Sequence, residues 1–171
     1  TPTLSSAASD VYKRQAIKYA TKIPLVYISV AVRNWHAFND LGYHSFYIPQ
    51  SKLMHSFGMD FPVSMGGYKY TSKPSQATVL HGTFVPTDPD IGLSPKEQAI
   101  NGRRKLYEMS FENIENLIHE QLDESLGMGG FDVEKDISGI TVNRWPHGYS
   151  WEYNDYSDPV EYTPYNGCLL Y

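Results

Sequence analysis

Residues 25–33 constrain the fold more than any other stretch: Leu-Val-Tyr-Ile-Ser-Val-Ala-Val-Arg is apolar at nearly every position. A run of that kind reads as a strand covered on both faces, since a half-exposed strand would alternate apolar with polar residues. It predicts a larger sheet, and the chain supplies partners for it. Residues 43–48 read as a strand stopped by Pro49, residues 57–70 as short strands bent at glycines and Pro62, and residues 78–85 as a third clear strand. Residues 137–145 form the last.

Helical signals lie between them. Residues 34–41 make a short helix or turn that Gly42 would end, and residues 88–93 are loop. Ser94-Pro95-Lys96-Glu97 places an N-cap serine before a proline at the first helical position and a glutamate at the capping-box position. A helix from Pro95 to Glu108 is the prediction. A second starts at Ser110 and carries Phe111, Ile114, Leu117, Ile118, Leu122 and Leu126 on one face before Gly127 ends it. Such a stripe needs a sheet or another helix to lie on. With residues 131–135 as a connector, the expected class is α/β, of the α+β mixed kind, built on a mixed sheet with helices.

The chain has 171 residues, 41% hydrophobic and 19% charged, which suits one globular domain. Its 14 tyrosines fit surfaces that are half apolar and half wet. A net charge of −5, from 14 basic and 19 acidic residues, argues against a nucleic-acid partner and leaves room for a cationic small ligand. No apolar run is long enough to span a bilayer and no leader signal opens the chain, so a soluble polypeptide is expected, with the compartment, cytoplasmic or periplasmic, left open. Cys168 is the only cysteine, which excludes a disulfide framework and a cysteine-based metal site.

The two ends read differently. Residues 1–15 resemble a translated sequencing adapter of the kind found at the ends of assembled metagenomic fragments, and residues 168–171 resemble its counterpart. Both are expected to be non-native, with the native protein continuing past them.

Residues 141–149, Thr-Val-Asn-Arg-Trp-Pro-His-Gly-Tyr, are the stretch that most resembles a site. A strand reaching Pro146 gives up ladder hydrogen bonding there, and Gly148 lets the backbone bend or lie close to a flat group. Trp145, His147 and Tyr149 are therefore expected to converge at a strand's end. The same residue types also fit two core aromatics and a hydrogen-bonded turn histidine. Trp145, Tyr149, Trp151 and Tyr153, beside several carboxylates, have the composition of an ammonium cage, or of a tyrosine-rich loop packed on a sheet. Arg33 and Arg144 sit at strand ends, placed either to grip a carboxylate or phosphate or to form exposed salt bridges.

Other chemistries lack their motifs. No histidine pair has zinc-hydrolase spacing, no Walker loop or Gly-x-Ser-x-Gly elbow occurs, and no carboxylate pair is singled out by its spacing. The glycine-rich residues 127–130 follow a helix and read as a helix stop, not a phosphate cradle. No metal site is expected.

Four runs carry a family resemblance: Val-Arg-Asn-Trp at 32–35, Asp-Phe-Pro-Val-Ser-Met-Gly at 60–66, Gly-Met-Gly-Gly-Phe-Asp at 127–132, and Asp-Ile-Ser-Gly-Ile-Thr-Val-Asn-Arg-Trp-Pro-His-Gly-Tyr at 136–149. In that order they resemble bacterial spermidine dehydrogenase and its relatives among the flavin-dependent amine oxidases. The last run, followed by Glu152-Tyr153-Asn154, is the specific one; the others support it by their order.

The resemblance implies an FAD-dependent, two-domain enzyme that oxidises a polyamine by hydride transfer to flavin, giving an imine that water hydrolyses to an aldehyde and an amine. It leaves open whether a haem is also bound and which electron acceptor serves. This chain lacks the Gly-x-Gly-x-x-Gly turn of such enzymes, so residues 16–145 correspond to much of the substrate domain with the strand returning to the flavin domain. Residues 146–167 correspond to a loop near flavin and substrate, and the isolated fragment is expected to be inactive. The resemblance assigns His147 and Tyr149 to catalysis, Trp145, Gly148 and Arg144 to the cofactor, and Trp145, Tyr149, Glu152 and Asp155 to the amine substrate. Two alternatives remain beside it: another two-domain flavin oxidase or desaturase acting on a non-amine substrate, and a non-catalytic domain that binds cationic ligands.

Overall fold

The strand expected at residues 25–33 is β1 (Lys22–Val32), and it is the backbone of the sheet. The computed structural model of the chain describes residues 21–88 and 91–150, with Val11 and Arg14. Among these, β2 (Ser45–Tyr47), β3 (Ser56–Met59), β4 (Thr78–Phe84) and β5 (Ile137–Ser150) join β1 in one sheet of order β2-β3-β4-β1-β5. Every neighbouring pair is antiparallel, so the expected mixed sheet is in fact wholly antiparallel. The connections allow this, because β2, β3 and β4 follow one another without a crossover helix.

Four α-helices are described: α1 (His36–Leu41), α2 (Pro95–Glu108), α3 (Phe111–Leu126) and α4 (Val133–Asp136). The class is therefore mixed α+β. α2 has the predicted limits and capping box, with the Ser94 side chain bonded to the Glu97 amide and the Glu97 side chain to the Ser94 amide. α3 is capped by the Ser110 side chain and turns Ile114, Ile118, Leu122 and Leu126 fully into the core. Gly42 ends α1 in the left-handed region, as expected. The residue that plays this part after α3 is Gly130 and not Gly127, because a 3-10 turn over Gly127–Gly129 intervenes. A side chain at Gly129 would meet the Ala37 carbonyl at 2.8 Å, so this glycine-rich turn is where α1 packs closely. α4 was expected as plain connector; Asp132 caps it by accepting from the amides of Glu134 and Lys135.

The helices cover one face of the sheet. Val26, Ile28, Val30 and Val32 of β1 lie against Leu80 of β4, Phe57 of β3 and the apolar stripe of α3. Each such side chain contributes roughly 1.5–3 kcal/mol by its burial. Gln121 is the buried polar residue there, and it is fully used: its side chain accepts from the Met54 amide at 2.9 Å and donates to the Met54 carbonyl at 2.7 Å. The other face of β1, however, is not sealed. Tyr27, Ser29 and Ala31 are only half-buried, which corrects the expectation of a strand covered on both sides. Tyr27 and Ser29 are the two positions where the apolar run admits a hydroxyl.

β5 also departs from expectation, since it does not stop at Pro146. Its register with β1 jumps from Leu25↔Trp145 to Ile23↔Tyr149, leaving Pro146, His147 and Gly148 opposite Pro24. Both strands carry proline here and neither can donate to the ladder, so the strand bulges and then resumes. The bulge adds an even number of residues, so the alternation of faces continues through it.

Candidate functional site

Among the described residues, the face opposite the helices gathers polar and aromatic side chains. Cross-strand register places Tyr27, Ser29 and Ala31 of β1 between Thr83, His81 and Val79 of β4 on one side and Asn143, Thr141 and Gly139 of β5 on the other. Further along β5 the same face presents Trp145, His147 and Tyr149. All three are exposed, Trp145 by 51% and Tyr149 by 65%. The strand thus brings these three side chains to one face as a row spaced two residues apart, not as a cluster at a strand's end.

Arg144 and Gly148 belong to the alternate positions. The Arg144 guanidinium donates from Nη1 to the carbonyls of Met109 at 2.6 Å and Leu106 at 3.2 Å, closing the C-terminal end of α2. Gly148 lies against Leu25, whose Cβ a side chain there would meet at 2.6 Å. Its close approach is to the neighbouring strand. Arg33 likewise donates from Nε to the Lys135 carbonyl at 3.0 Å. Of the three residues that the resemblance gives to a flavin, Trp145 is exposed and Arg144 and Gly148 are half-buried. Glu152 and Asp155, with Trp151 and Tyr153, lie outside the described residues.

Sequence reasoning missed the centre of the face. His81 Nδ1 stands 3.2 Å from Ser29 Oγ, and His81 Nε2 stands 3.2 Å from the carboxylate of Asp60, the residue that follows β3. Asp60 Oδ1 also accepts from the Phe61 amide at 2.8 Å. The Tyr27 ring lies with its centroid 5.3 Å from that of His81. The side chains of His81 and Asp60 keep 28% and 34% of their surface, so an outside group can reach both. Nearby, the Tyr70 hydroxyl is enclosed without a well-formed hydrogen bond. Burial first, then the Asp60 carboxylate, raises its pKa above the ordinary tyrosine value, with the Thr78 side chain opposing. The alternation within β4, where His81 separates Leu80 from Gly82, was the available signal for a histidine facing away from the core. Asp60 gave none.

A cleft of about 360 Å³ lies on the helix side, lined by Ile48, Lys52, Leu117 and Glu120 among others, and holds none of the candidate site residues read from the sequence. Among the described residues no group of histidine, cysteine or carboxylate side chains is placed to hold a metal ion, and no helix is long and apolar enough to cross a membrane. No protein-family model matches the chain, and a search of curated proteins finds none similar to it.

Proposed function

We propose that this chain is the amine-binding part of a two-domain, FAD-dependent amine oxidoreductase acting on a polyamine such as spermidine, with the uncovered sheet face as one wall of the substrate site. The observation that carries the reading is the composition of that face. It sets aromatic rings, hydroxyls and one carboxylate side by side, and its strand positions include no lysine or arginine. Rings and a carboxylate attract an alkylammonium group, by cation–π contact and by charge.

The loop that begins at Asp60 gives a second support. Phe61, Val63, Met65 and Tyr68 are all exposed, Phe61 by 78%, an apolar rim of the kind that meets another surface. The presence of Asp60 on the wall favours an amine over the apolar substrate of a related flavin oxidase or desaturase. A flavin would supply the hydride acceptor. The part of the described residues is to bind and orient the amine and to exclude water, with Trp145 and Tyr149 as flanking rings and His147 as a polar neighbour.

The test is the visible spectrum of protein made from the complete coding region, recorded with and without spermidine. The reading predicts a flavin spectrum that bleaches on anaerobic addition of spermidine. A colourless, folded protein that binds spermidine would replace it with the non-catalytic, cation-binding reading.

A further inference from the structure

The hydrogen-bond polarity of the Asp60, His81 and Ser29 group decides what it can recognise. An ionised carboxylate is an acceptor only, so Asp60 at 3.2 Å favours the His81 tautomer with its proton on Nε2. Nδ1 is then an acceptor, and the Ser29 hydroxyl donates to it. Ser29 Oγ is left with lone pairs for a donor arriving from outside. The same order of groups occurs in acyl-transfer triads, but the strand opposes that use. β1 is paired on both sides at Ser29, with His81 and with Thr141, so its amides are committed to the ladder and cannot form an oxyanion hole.

We propose that Ser29, His81 and Asp60 form a hydrogen-bond-accepting subsite for a primary alkylammonium group, an inference that rests on the amine reading above. The ammonium N–H donates to Ser29 Oγ. The hydroxyl's own proton stays directed at His81 Nδ1, and the Asp60 carboxylate beside Nε2 supplies the negative charge that faces the ammonium. The Tyr27 ring stands beside the imidazole. Trp145 pairs with Leu25, four positions along β1 from Ser29, or about 13 Å at the strand rise. An extended triamine spans a comparable length, so one end at Ser29 leaves the other beside Trp145.

The experiment uses the 171-residue chain carrying ¹⁵N-histidine, titrated with spermidine and with 1,4-diaminobutane, with 1,4-butanediol as the neutral control. The His81 ring resonances should move saturably with both amines and stay still with the diol. Asp60→Asn, which keeps the side-chain acceptor for the Phe61 amide, should bind about tenfold more weakly, the loss of about 1.4 kcal/mol. Ser29→Ala should abolish the change at Nδ1 while leaving the amide spectrum native. Unmoved His81 resonances at saturating amine, or wild-type responses in both variants, would overturn the subsite. If the amines perturb Trp145 and Tyr149 but not His81, the subsite falls and the amine reading stands; if no residue of the face responds, both fall.

Discussion

β1 serves two surfaces with one backbone. Its even-numbered residues Val26, Ile28, Val30 and Val32 are sealed under the helices, whereas Tyr27, Ser29 and Ala31 look out from the opposite face. The covered face is held by apolar packing and tolerates no gaps. The uncovered face is held in place by the covered one, so its residues are free to be polar, reactive and poorly satisfied. Stability and the proposed recognition thus fall on alternate positions of the same strands, and the two can be separated by mutation.

The largest effect should come from the covered side. Ile118→Ala or Leu122→Ala removes a fully buried side chain and should cost about 2–5 kcal/mol in urea unfolding. Ser29→Ala on the open face should change stability by no more than about 0.5 kcal/mol. Equal losses on the two faces would erase the distinction. Arg144→Met comes next, at roughly 1.5–3 kcal/mol, because its charged hydrogen bonds close the end of α2. Unchanged stability would instead free Arg144 for a ligand. Ser94→Ala should cost about 1 kcal/mol by removing the cap of α2. Hydrogen bonds from Ser94 hold the Glu97 carboxyl below the usual glutamate range. That contribution is present above the ordinary glutamate pKa and is lost as pH falls through the lowered folded value, so the cost of the variant should shrink in acid.

Two smaller effects sharpen the view of the open face. Trp145→Ala, at a half-exposed ring, should leave stability within about 0.5 kcal/mol of wild type while impairing amine turnover in the complete protein. A matched loss of stability would make the ring a packing residue. Tyr70 keeps its proton more tightly in the folded chain than in the unfolded one, so stability should begin to fall as pH rises past the ordinary tyrosine pKa. Tyr70→Phe should flatten that decline and do little near neutrality.

The two long helices were legible in the sequence because their signals are local. Ser94, Pro95 and Glu97 mark the start of α2 within four residues, and Ser110 does the same for α3. The strand at Ile137 was legible too, but Trp145, His147 and Tyr149 were expected to converge at its end and instead alternate along it. What failed was anything that depends on the residue opposite. Pro146 reads as a strand end until Pro24 is found across from it, where a bulge absorbs both prolines. The pairing of Ser29 with His81 crosses 52 positions and depends on β4 returning beside β1, which no local pattern encodes. Asp60 reaches His81 only because β3 delivers it at the edge of β4.

On the proposed reading the uncovered face is the amine-binding face. Residue-resolved amide spectra of the chain during a spermidine titration test it most directly. Amine binding there should give saturable changes along β1 near Tyr27 and Ser29, at His81, and at Asn143 and Trp145 of β5, with the amides of α3 unmoved. Changes confined to the cleft beside Lys52 and Glu120, or none at saturating spermidine, would contradict it.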